Sequence, residues 1–128
     1  MTAVRGIRGA IDVERNERGE ILARTRTLLE TMIRENEVRT EDVAAAFFSL
    51  TPDLDAEFPA IAARELGWTD VPLMCVQELD VRGAMEKVVR ILLLVNTDRP
   101  ASAVRHQYLG NTQRLRPDLA AKPRRGEP

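Results

Sequence analysis

Apolar and polar residues alternate along Val4 to Val13, and a period of two predicts a strand. Ile7, Gly9, Ile11 and Val13 fall on one face of it, with Gly6, Arg8, Ala10 and Asp12 on the other. The period then becomes helical. Ile21, Leu22, Thr25, Leu28, Leu29, Met32 and Ile33 form one stripe with charges opposite, so a helix is expected from an Asn16 cap to about Asn36. Thr40 followed by Glu41 and Asp42 marks a second, short helix whose carboxylates sit at the positive end of the dipole. Ala45 to Thr51 has the look of a buried strand that Pro52 stops. Pro59 suits the first turn of a third helix reaching about Leu66, with Gly67 behind it. Val71 to Leu79 reads as a strand, Gly83 to Val88 as a short helix or crossover, and Val88 to Asn96 as the most apolar strand. After Arg99-Pro100, the expectation is a helix over Ala101 to Leu109, ended by Gly110, and a last short strand over Thr112 to Leu115. Strands alternating with helices predict a single α+β or α/β domain around one mixed sheet packed by helices. From Pro117 onward Pro, Gly and charge dominate, which predicts a mobile tail.

A length of 128 residues agrees with one domain, because domains commonly hold about 100–150 residues. Hydrophobic residues make up 44% and charged residues 30%, an ordinary globular balance. The formal net charge of −1 supplies no global field for nucleic acid or an anionic membrane, so neither is expected as a partner. Met1 to Gly9 has two arginines and no long apolar run, unlike a signal peptide. The most strongly apolar stretch, Ile91 to Val95, is far short of the roughly 20 residues a membrane helix needs. One cysteine, Cys75, excludes an intrachain disulfide and points to a reducing, cytoplasmic setting. His106 and Cys75 are the only soft ligands and share no paired spacing, so no metal site is expected. Seventeen of the nineteen basic residues are Arg, whose rigid fork matches carboxylates as Lys does not.

Three charges break the apolar pattern. Arg90 lies inside Val88-Val89-Arg90-Ile91-Leu92-Leu93-Leu94 and shares a face with Val88, Leu92 and Leu94. Desolvating a guanidinium without a partner costs several kcal/mol, on the order of the penalty for any buried ion, so a carboxylate must meet it from the chain or from a ligand. Glu78 shares a strand face with Met74 and Val76, and beside Arg90 it would make a polar spot in an apolar wall. Arg8 is flanked on its face by Gly6 and Ala10, which leave room for a ligand beside the guanidinium. Plain structural readings compete with each: an arginine at a sheet edge or subunit contact, a strand-end carboxylate in solvent, close backbone packing. Tyr108, Arg64 and Arg116 are weaker candidates, His106 faces away from Tyr108 on the expected helix, and Cys75 has no basic activator nearby in sequence. With no Gly-rich phosphate loop and no Ser-His-Asp arrangement, the set fits binding and electrostatic stabilisation better than proton shuttling or covalent chemistry.

From Val4 to about Leu119 the chain resembles the trimeric, pseudo-α/β-barrel class of chorismate mutases. The resemblance is carried by Val4-Arg5-Gly6-Ile7-Arg8-Gly9-Ala10, Thr51-Pro52-Asp53-Leu54, Phe58-Pro59-Ala60, Val71-Pro72, Gln77-Glu78, Val89-Arg90, Asn96-Thr97-Asp98, Val104-Arg105-His106-Gln107-Tyr108-Leu109 and Leu115-Arg116-Pro117-Asp118-Leu119. It implies a domain over residues 1–119, a tail over 120–128, and a homotrimer with active sites in clefts between subunits. It implies rearrangement of chorismate to prephenate without cofactor or metal. Arg90 would contact the ether oxygen and a carboxylate, Arg8 and Tyr108 a carboxylate, and Glu78 the ring hydroxyl. Phe58, Met74, Cys75, Val76, Gln77 and Leu115 would shape the pocket, while Arg64 and Arg116 would close or steer it. Ile61 departs from the pattern, because relatives commonly have a basic residue there, and Arg82 occupies a turn where they often have a smaller one. An imine or enamine deaminase on a similar trimeric fold, or a non-catalytic module binding an aromatic metabolite, are the competing readings.

Overall fold

The structure, a computed structural model, describes residues 2–116. The expected tail, 117–128, lies outside the described residues. Strand β1 (Ala3–Asp12) leads to helix α1 (Arg18–Asn36), strand β2 (Val43–Leu50) and the short helix α2 (Ile61–Glu65). Strands β3 (Leu73–Gln77), β4 (Val88–Thr97) and β5 (Gln107–Leu109) follow, with 3-10 turns at Thr40–Asp42, Ala101–Ala103 and Gly110–Arg114. The strands form one mixed sheet in the order β3-β2-β4-β1-β5. The most apolar strand, β4, runs antiparallel to both β1 and β2, whereas the outer pairs β1–β5 and β2–β3 are parallel.

Alternation assigns the two faces of the sheet different neighbours. Ile7 and Ile11 of β1, Ala46 and Phe48 of β2, and Val89, Ile91, Leu93 and Val95 of β4 pack in one core with Ile21, Leu28, Leu29 and Met32 of α1. Ala60, Ala63 and Trp68 bring α2 and its exit into that core. Gly9 lets α1 approach β1, since a Cβ there would meet Met32 Sδ at 2.5 Å and Leu28 Cδ1 at 3.0 Å. The opposite face has no helix over it among the described residues. It carries Arg8, Arg90, Leu92 and Met74, with a small second cluster of Ala10, Val88 and Tyr108 joined by Met85 and Leu115.

Several expectations are corrected. The N-cap of α1 is Glu17, not Asn16, and Asn16 instead accepts the N–H groups of Asp55 and Ala56, both at 3.0 Å. The expected helix over Ala101 to Leu109 is a single 3-10 turn followed by β5. Buried Asn36 at the end of α1 holds Arg105 extended, donating to its carbonyl at 2.9 Å and accepting its N–H at 2.8 Å. That long-range clamp, with the ladder to β1, overrides local helix propensity. The expected last strand over Thr112 to Leu115 is replaced by the 3-10 turn Gly110–Arg114, in which Thr112 Oγ1 donates toward the carbonyls of Ala10 at 3.0 Å and Leu109 at 2.6 Å. No helix forms over 83–88. The Lys87 N–H is taken by the Asp53 carboxylate and the Val88 N–H by Thr51 Oγ1, so the segment runs as a loop straight into β4.

Candidate active site

The register of the open face decides which side chains meet. Leu92 of β4 stands between Arg8 of β1 and Phe47 of β2, and Phe47 adjoins Met74 of β3. One step along, Arg90 stands between Ala10 and Ser49, Ser49 adjoins Val76, and Ala10 adjoins Tyr108 of β5. Alternation therefore places Arg90 at the middle of a row that runs Tyr108, Ala10, Arg90, Ser49, Val76. Glu78 follows β3 directly and stays tied to β2 through its N–H, donated to the Leu50 carbonyl at 2.9 Å. An open cleft of about 250 Å³ lies over this row, lined by Arg8, Phe47, Val76, Glu78, Arg90 and Tyr108 among others.

Arg90 and Glu78 form an ion pair, with Nε 3.2 Å from Oε1. The Nε is shielded from solvent yet makes no hydrogen bond of good geometry, so Glu78 meets it as a nearby charge and not as an aligned acceptor. Ser49 Oγ donates to that same Oε1 at 2.6 Å. The pair is half-open, with 41% of the Arg90 side chain and 31% of Glu78 accessible. Two guanidiniums and one carboxylate around a single hollow leave an excess positive charge, which suits a ligand with two anionic groups. A larger hollow of about 350 Å³ lies between Thr51–Asp53 and the loop Leu79–Glu86. Its wall holds Asp53, Asp80 and Glu86 against Arg82 alone, the wrong sign for an anion.

Of the residues singled out from the sequence, Arg8, Val76, Glu78, Arg90 and Tyr108 line the cleft, and Leu115 packs beside it against Ala10, Val88 and Tyr108. The others stand elsewhere. Phe58 is 68% exposed and Met74 of β3 55%, and neither lines the cleft. Cys75 and Gln77 alternate to the other face of β3, where Cys75 packs against the main core. Burial pushes the Cys75 thiol above its ordinary pKa, although the Ala60 N–H and the Arg64 charge act in the opposite direction. Arg64 of α2 does not line the cleft, while half-buried Arg116 closes the described chain just beyond Leu115. Ser49, Phe47 and Leu92 line the cleft without having been singled out. Extending the alternation through β2 would have found Phe47 and Ser49. His106 also contributes, because its Nδ1 accepts the Arg8 N–H at 2.9 Å and fixes the backbone that presents that arginine.

The chain matches the family model described as chorismate mutase type I over residues 4–119. It is 51% identical over 118 residues to the chorismate mutase AroH of Bacillus subtilis (strain 168), covering 91% of this chain and 93% of that protein. It is 48% identical over 117 residues to the chorismate mutase AroH of Thermus thermophilus, covering 91% and 96%. A solved structure of a chorismate mutase from Clostridium thermocellum superposes with a TM-score of 0.85 at 44% identity, covering 86% of this chain and 98% of that one. A mixed sheet with one uncovered face, a cationic cleft on that face and these matches over nearly the whole length agree: the chain belongs to the type I chorismate mutase family and is an enzyme of that kind.

Proposed function

We propose that this chain converts chorismate to prephenate by holding one folded conformer of the dianion over β4 and stabilising the charge that develops on its ether oxygen. The observation that carries the reading is the convergence of Arg8 and Arg90 on one cleft whose only acid among the described residues is Glu78. In the rearrangement the ether C–O bond breaks as a C–C bond forms, and no proton or covalent bond passes to the protein. Catalysis then consists of positioning and electrostatics. Arg8 and Tyr108 hold a carboxylate, Glu78 accepts the ring hydroxyl, and Arg90 aims positive charge at the oxygen that becomes more negative in the transition state. An interaction that strengthens on the way to the transition state raises kcat and not merely affinity.

The working unit in this reading is a homotrimer. Val4, Leu92, Met74 and Val76 leave apolar surface on the uncovered face, and Leu79 and Val81 add more in the neighbouring loop. Phe58 and Met74 are exposed large apolar side chains that do not line this chain's own cleft, so they are free to complete the cleft of an adjacent subunit. A lone, partly buried thiol suits a reducing compartment such as the cytoplasm. Among the described residues, no helix is long and apolar enough to cross a membrane. The test is a spectrophotometric assay of chorismate loss with identification of the product. Prephenate formation by the purified chain is the expected result, and absence of turnover overturns the reading.

A further inference from the structure

We infer that Ser49 is a positioning residue that keeps Glu78 from closing bidentately on Arg90, so that both charges stay available to the ligand. The inference rests on the proposed function and assigns a role to a side chain that never needs to touch the reacting atoms.

Three observations carry it. Ser49 is buried in β2 directly between Arg90 and Val76, so little solvent competes for its hydroxyl. That hydroxyl donates to Glu78 Oε1 at 2.6 Å, a short bond of the kind formed with an ionised carboxylate. Oε1 is also the oxygen next to Arg90 Nε, at 3.2 Å but out of alignment for a hydrogen bond. A carboxylate beside a guanidinium normally turns to engage it with both oxygens in a parallel fork. Here one oxygen is claimed by Ser49 and held off that geometry. The other oxygen, Oε2, has no hydrogen bond among the described residues, and neither do the terminal nitrogens of Arg90. The backbone adds to the restraint, because the Glu78 N–H is fixed to the Leu50 carbonyl and leaves only side-chain torsions free. A ligand hydroxyl then finds a ready acceptor, and a ligand oxygen finds an arginine that its neighbour has not neutralised.

With Ser49→Ala, Glu78 is free to rotate onto Arg90. Losing a hydrogen bond to a charged group commonly changes an equilibrium by about 10- to 100-fold, so a fall of that order in kcat/KM is expected. Most of it should appear in kcat, because the Arg90 charge acts on negative charge that grows in the transition state. The experiment measures chorismate turnover by the parent, Ser49→Ala, Glu78→Ala and the double variant, with thermal midpoints for all four and a crystal structure of Ser49→Ala. Support is a kcat loss in Ser49→Ala at a near-parent midpoint, no further loss when it is added to Glu78→Ala, and both Glu78 oxygens on Arg90 in the crystal. The inference is overturned if Ser49→Ala keeps parent kcat/KM, if its loss adds in full to that of Glu78→Ala, or if Glu78 stays in place in the crystal. A parent chain that leaves chorismate untouched sinks the functional reading instead, and the Glu78–Arg90 geometry of the Ser49→Ala crystal still decides the positioning role.

Discussion

Arg90 is set apart from the other sixteen arginines by what surrounds it, namely an apolar strand at the centre of the sheet. Its planar fork presents several donors at fixed angles, whereas a lysine would offer one compact charge. Arg90→Lys is therefore expected to lower kcat about 10²- to 10³-fold, the usual cost of removing one preorganised donor, with a smaller change in KM. Steady-state kinetics on chorismate checks this. Cys75 leads to an opposite expectation. Burial favours its neutral thiol, and it faces the core instead of the cleft. Its reaction with a disulfide reagent should be slow at neutral pH and quicken only above the ordinary thiol range, while Cys75→Ser keeps kcat near the parent value. Thiol titration against pH beside an activity assay tests both points. That Arg8, Glu78 and Arg90 stand apart was legible in the sequence, because a charge in an apolar alternation announces an unusual environment, and the structure brings all three to one cleft. Ser49 was not, since a serine in a strand is unremarkable until its neighbours across the ladder are known.

At the scale of elements, the long regular pieces followed from period alone and the short ones did not. β1, α1 and β4 each carry enough residues for a repeat to show, and their observed bounds differ from the expected ones by a residue or two. β5 has three residues, too few for alternation, and its extended shape comes from Asn36 and β1, which are distant in sequence. The turn behind β5 depends on a glycine. Gly110 has φ +62, and a Cβ there would run into Asp12 Oδ1, the acceptor for the Asn111 N–H. Gly110→Ala should cost at least the ~1–3 kcal/mol of a strained left-handed residue and lower the thermal midpoint by several degrees. Activity should fall with it, because the turn directly follows the strand that carries Tyr108. Gly19→Ala is the control. Nothing lies within 4 Å of a Cβ at Gly19, inside the first turn of α1, so its midpoint should stay level or rise. Differential scanning calorimetry of the two variants makes the comparison.

For the whole molecule, the class of fold could be read from alternating strands and helices, but the order β3-β2-β4-β1-β5 could not. Hydrophobic pattern says which face of a strand is buried and nothing about which strand lies next to it. The cleft is a product of that order, as β4 brings Arg90 between a residue from the start of the chain and one from its middle. Sequence periodicity likewise left open what covers the second face. If that face closes against copies of itself, light scattering should give about three times the 14.4 kDa of one chain. A monomer mass with full activity would rule out shared sites.

The thinness of β5 has a consequence for how the enzyme behaves when loaded. The rim that presents Tyr108 hangs from its neighbour by a three-residue ladder at the border of the sheet, so it is the wall cheapest to pry loose. A guest that spans from that phenol to the central guanidinium adds a rung of its own atoms where the protein supplies fewest. The sheet would then be at its firmest while there is something in it to transform.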